Sequence, residues 1–259
     1  MTLTTLPKLI SQTPQRTFLI REEPPHYLKQ DQLFTKLIKV FFAEFLEVFF
    51  PDIHNQINFE HVTFLPEKMF TETNDCSKRV VSLFANVKWK KNDTLVVVCV
   101  GPTSYYPLDF QFRMFNNLHK IDKLSFSITI YNYESYLGRN KCNIPISDLE
   151  VLYFNYFSLY LRKQNWRKLI KTDNPVAAAF LSKMKYAENE KVKVKLSFFK
   201  ILARLKLDME KNVLLFRFFE TNLKLSNIEK AIFVEEINKL ENAKEILEII
   251  FYMKKEEGQ

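Results

Sequence analysis

Glycine is nearly missing from this chain, with 3 in 259 residues. A loop that cradles phosphate needs several, because backbone amides crowd an anion only where no Cβ intervenes; a Gly-rich nucleotide loop is therefore excluded. Cysteine is as scarce. Cys76, Cys99 and Cys142 are odd in number and show no metal-ligand spacing, which fits free thiols in a reducing cytoplasm. The four histidines, His26, His54, His61 and His119, are scattered and form no metal spacing with the cysteines. No apolar run approaches the ~18–20 residues that span a bilayer, so no membrane partner is expected. The opening residues, MTLTTLPKLISQTPQRTF, lack the basic-then-apolar pattern of a secretion signal, and a cytoplasmic location is expected. Ser82 and Ser104 have no His–Asp relay near them in sequence, so nothing points to a hydrolase triad.

What the chain has in quantity is phenylalanine and unevenly placed charge. Its 25 phenylalanines and 47% hydrophobic content predict a folded protein with a large core. The net charge of +8 comes from one stretch. Residues 161–206 hold thirteen Lys or Arg against three acids, Asp173, Glu188 and Glu190, for a net +10. Residues 207–259, with eight bases and eleven acids, carry −3, and the first 160 residues carry +1. A segment of this kind is an electrostatic footprint for a polyanion, or simply a solvated face.

Periodicity divides the chain. Residues 1–30 are polar and proline-dotted, and an irregular arm is expected there. Phe34, Ile38, Phe41, Phe42, Phe45 and Phe49 repeat at helical spacing and predict one helix over Leu33 to Phe50, ended by Pro51. Arg79 to Lys90 and Thr94 to Val100 predict two strands of a hairpin joined through Lys91-Asn92-Asp93. A helix over Leu108 to Lys120 and strands over Leu124 to Tyr131 and Glu150 to Phe157 follow. Beyond Asn165 the pattern is helical. Asn174-Pro175 is a helix start, and Ser226 with Glu229 is a capping box. Lys191 to Lys206 sets Val194, Phe198, Ile201, Leu202 and Leu205 on one face, with Lys193, Lys200 and Arg204 on another.

Helix, strand hairpin, helix and strand in this order resemble the PD-(D/E)XK nuclease superfamily. More closely, the chain resembles the bacterial transposase-like, recombination-promoting nucleases (Rpn or YhgA-like). The similar stretches include DQLFTKLIKVFFAEFLEVFFPD (31–52), INFEHVTFLPEKMFTE (57–72), DFQFRMF (109–115), LEVLYFNYFSLYLRKQNWR (149–167), DNPVAAAFLSKMKY (173–186), KILARLKLD (200–208) and FFETNLKLS (218–226). The resemblance implies an α/β core with a mixed sheet flanked by helices over residues 31–160, after an arm at 1–30. An all-helical C-terminal region over 161–259 would follow. It also implies metal-assisted phosphodiester hydrolysis, in which an Asp on the first hairpin strand and a Glu on the second hold Mg²⁺.

Here the chain departs from the pattern. Ser82 stands where the resemblance places the Asp, Gly101 where it places the Glu, and Thr103 where it places a Gln. Lys36 replaces an acidic position of the first helix. Without carboxylates the pocket lacks the hard anionic oxygens that Mg²⁺ needs. The expected function is thus that of a catalytically inactive, nuclease-derived protein, a pseudonuclease with no cofactor. It would retain DNA binding through Lys183, Lys185, Lys193, Lys200 and Arg204. Two alternatives accompany it: a regulatory scaffold for a protein partner, and a Mg²⁺-dependent nuclease whose site has migrated to Asp93, Asp109, Glu44 or Glu47.

Overall fold

The structure, a computed structural model, describes residues 25–66, 82–90, 92–100, 124–131, 141–145 and 151–257. Its first layer comes from the phenylalanine-rich stretch. Helix α1 (Pro25–Val40) is followed by α2 (Phe42–Phe49) and by α3 (Pro51–His54), a single turn with proline at its first position. The single helix expected over Leu33 to Phe50 is therefore two, and it begins earlier, inside the stretch expected to be an irregular arm. The division falls at Phe41, whose φ of −118° and ψ of 43° are not helical. Neighbouring side chains on a straight helix point about 100° apart. The break lets Phe41 and Phe42 both enter the interior.

Seven strands follow among the described residues. They are β1 (Ile57–Leu65), β2 (Ser82–Trp89), β3 (Asn92–Val100), β4 (Leu124–Tyr131), β5 (Lys141–Pro145), β6 (Val151–Asn155) and β7 (Phe157–Tyr160). Five form a mixed sheet in the order β1-β2-β3-β4-β7, and β5 pairs with β6 separately. The first three are antiparallel, whereas β3–β4 and β4–β7 are parallel. β1 is irregular: its register against β2 shifts between Asn58 and Thr63. The helix expected over Leu108 to Lys120 lies outside the described residues.

Two expectations need correcting. Trp89 pairs with Asn92 and Lys88 with Asp93, so Asn92 and Asp93 belong to β3 and not to the connection between the strands. Lys90 sits at φ 56°, the positive value that lets a two-residue loop match strand twist, and its amide donates to the Gln56 carbonyl at 3.0 Å. The strand expected over Glu150 to Phe157 is split at Tyr156. That residue is buried, with its hydroxyl 3.4 Å from that of Tyr131.

The helical half comprises α4 (Trp166–Leu169), α5 (Pro175–Phe180), α6 (Lys191–Leu205), α7 (Met209–Asn222), α8 (Asn227–Asn238) and α9 (Ala243–Glu257). One apolar core runs through both halves. It takes one face of the sheet (Ala85, Val87, Val96, Val98, Ile128, Ile130) and continues through α1, α2 and α5 to Met253 on α9. Phe180 is its junction, with its ring 5.1 Å from Phe34, 5.6 Å from Phe49 and 5.7 Å from Phe218. Asn174 holds the same junction by hydrogen bonds. Its Oδ1 caps α5 by accepting from the amides of Val176 and Ala177, and its Nδ2 donates to the Glu44 carbonyl (2.9 Å) and to Glu47 Oε2 (3.1 Å) on α2. The molecule is thus a mixed α/β structure with a five-stranded sheet, flanking helices and a helical C-terminal half.

Candidate functional site

Helix α6 separates its residues as its periodicity predicts. Val194, Phe198, Ile201 and Leu202 are buried, whereas Lys193 and Arg204 are exposed and Lys200 is half-exposed. These three bases are brought together. They line one groove of about 630 Å³ between α6, α8 and the residues after α4. The rest of its lining includes Ile170, Val192, Leu196 and Ile232, with Glu236 on the α8 side.

Charge in the groove is arranged by its neighbours. Arg204 is held in place: its Nε donates to Asp173 at 2.7 Å, and its other nitrogens reach the carbonyls of Lys200 and Ile170. Lys193 and Lys200 have no ion pair among the described residues. Glu236 is engaged by Lys239 at 2.7 Å, which draws the one acid lining the groove into a local pair. The remaining acids of residues 161–206 are also spent within the segment, Glu190 on Arg167 and Glu188 on Lys191. Hydrogen bonding to Glu188 holds the Lys191 ammonium above its usual pKa. That leaves a surplus of exposed bases, which include Lys168, Lys171 and Lys206 besides the groove residues.

Some of the thirteen bases do not belong to that surface. Lys195 is buried, pairs with Glu220 and lies over the Phe233 ring at 5.7 Å, so it is a core residue. Lys183 and Lys185, singled out beside the α6 bases, do not line the groove, and each has a partner of its own. Tyr186, next to them, has its hydroxyl pKa raised, chiefly by burial. The apolar lining was not singled out from sequence. Val192 and Leu196 are four apart, a spacing shared with the core face, so only the tertiary packing of α8 reveals that they border a groove.

The positions that the nuclease resemblance marks are less fully placed. Lys36 is exposed on α1. Ser82 opens β2 opposite Cys99 of β3. Gly101, Thr103 and Asp109 lie outside the described residues. Of the carboxylates considered for a migrated site, Glu47 is bonded to Asn174, and Asp93 stands opposite Lys88 in the β2–β3 ladder. Among the described residues no group of three or more His, Cys, Asp or Glu could hold a metal ion. No described helix is long and apolar enough to cross a membrane. No protein-family model, curated protein or solved structure matches the chain.

Proposed function

We propose that this chain is a nuclease-derived binding protein without cleavage chemistry, which holds duplex DNA by its phosphate backbone through the basic segment 161–206. The observation that carries this reading is the local pairing of every acid in that segment, which leaves its exposed bases in excess. Lys193 to Arg204 covers about 16 Å of helix, while each DNA strand presents a phosphate per about 3.4 Å of axis. Several phosphates are therefore within reach of one helix. Contacts of this type give affinity without a base code. The scaffold half of the reading rests on the resemblance and on Ser82 and Gly101, which stand where it places metal-binding carboxylates. It draws support from the element order, in which helices precede an antiparallel β1–β2–β3 meander and a parallel fourth strand.

Electrophoretic shift of unrelated duplexes at low salt tests it. The wild type should bind all of them, and log affinity should fall with log salt by about 0.9 per phosphate neutralised. Lys193→Glu with Lys200→Glu should lose binding to every duplex alike, with the Arg204–Asp173 pair left intact. Absence of any shift by the wild type overturns the DNA reading. Plasmid cleavage with Mg²⁺ or Mn²⁺ that disappears in Glu47→Ala or Asp109→Ala would overturn the non-catalytic part.

A further inference from the structure

The groove has a floor that phosphate contacts leave unused. Ile170, Val192, Leu196 and Ile232 are aliphatic. Exposed nucleic-acid bases are held by stacking on aromatic rings, and among the described residues no aromatic lines this groove, while a duplex backbone would meet only its basic rim. Apolar floor and basic rim together match a different ligand. We infer that the groove is a docking site for an acidic amphipathic helix of a protein partner.

Such a helix inserts apolar side chains at i, i+3 or i+4 and i+7 into an aliphatic groove and carries its acids on the flanks. Lys193 and Lys200, seven residues apart, lie on the same side of α6 two turns from one another, about 10 Å along its axis. Acids two turns apart on the incoming helix repeat at the same distance. Arg204, one turn further, is already oriented by Asp173 and the Lys200 carbonyl, so its ordering is complete before the ligand arrives. On the opposite wall, Glu236 is drawn to Lys239, which reduces repulsion of an acidic ligand. Because the three α6 bases would serve both ligands, an acidic helix and duplex DNA exclude one another. That competition alone rests on the DNA reading; the docking site does not.

The test uses the full chain and a labelled, synthetic 18-residue helix with Leu at i, i+4, i+7 and i+11 and Glu on both flanks. A scrambled peptide of the same composition and polyglutamate are the controls. Fluorescence anisotropy should show binding of the amphipathic peptide at least about tenfold tighter than either control. Ile232→Asp, at an exposed groove position, and Lys193→Glu with Lys200→Glu should each weaken it by about tenfold or more. Ile228→Asp, on the same helix but outside the groove, should not, and it shows whether α8 tolerates the charge. Ile232→Ser, which removes the apolar surface without setting a charge beside Lys193 and Lys200, should weaken the peptide and leave the duplex shift unchanged, which separates the floor from the rim. Equal binding of scrambled peptide or polyglutamate overturns the proposal, as does an amphipathic peptide indifferent to Ile232→Asp. Duplex binding without peptide binding also overturns it and leaves the proposed function standing. Peptide binding that responds to both groove variants, in a protein that does not shift DNA, supports the docking site and overturns the proposed function instead.

Discussion

Asn174 shows how much one side chain can carry. Its amide oxygen satisfies two helix amides, and its amide nitrogen reaches a backbone carbonyl 130 residues away. Loss of an N-cap costs about 1 kcal/mol, and a buried acceptor left without its donor about 1–3 kcal/mol more. Asn174→Ala should therefore destabilise by about 2–4 kcal/mol in urea unfolding. Asn174→Asp keeps the acceptor that caps α5 but removes the donor and sets a second carboxylate beside Glu47. It should remain well below wild type at neutral pH. If instead it matches the wild type, the bonds to α2 contribute nothing and the residue is only a cap. The cap was legible in the sequence, because Asn-Pro is a local signal. The bonds to Glu44 and Glu47 were not, because nothing local records which helix packs across the cap.

At the scale of single elements, the helix starts are set by charge. The Asp208 carboxyl is held below its usual pKa mainly by the Lys211 side chain and then by the Lys211 amide. The Glu229 carboxyl is lowered chiefly by the Ser226 amide, to which it bonds at 2.7 Å. A depressed carboxyl stabilises the fold at pH above the unfolded value, and that stabilisation is lost as pH falls through the folded one. The melting temperature should thus hold from neutral to about pH 5 and then fall through the usual carboxylate range and below. Asp208→Asn with Glu229→Gln should flatten this acid limb in thermal scans; an unchanged limb would assign the acid sensitivity to other groups. Strand β4 was legible to the residue, because LSFSITIY alternates cleanly. The short β5, with Lys, Cys, Asn and Ile, alternates over only four residues before its proline and was missed. The hairpin was legible, but its turn was misplaced, because Asn92 and Asp93 look like turn residues and Lys90 does not. Trp89 and Lys88 pair with them across the ladder, and Lys90 takes the positive φ.

For the whole molecule, the division expected near residue 160 follows the change from strands to helices, and the apolar core crosses it. Trp89 lies in the sheet and Trp166 in the helical half, which gives each side its own fluorophore. Single-tryptophan variants made by Trp89→Phe or Trp166→Phe should each unfold in one transition within the same denaturant range. Phe180→Ala, which opens the junction of four helices, should lower both midpoints together, by about 3–5 kcal/mol of stability. Separate midpoints would mean two independent units. The groove itself was half legible: its basic rim followed from helical spacing, while its floor depended on how α8 lies against α6. The irregular register of β1 bears on what the molecule avoids. Among the described residues β1 has only β2 beside it, and no described strand pairs with its other side. A straight strand there would be a template for other chains. The slip between Asn58 and Thr63, with Glu60 and His61 exposed within it, spoils that template. A fault in the ladder thus works against the pairing of this edge with a strand from another chain.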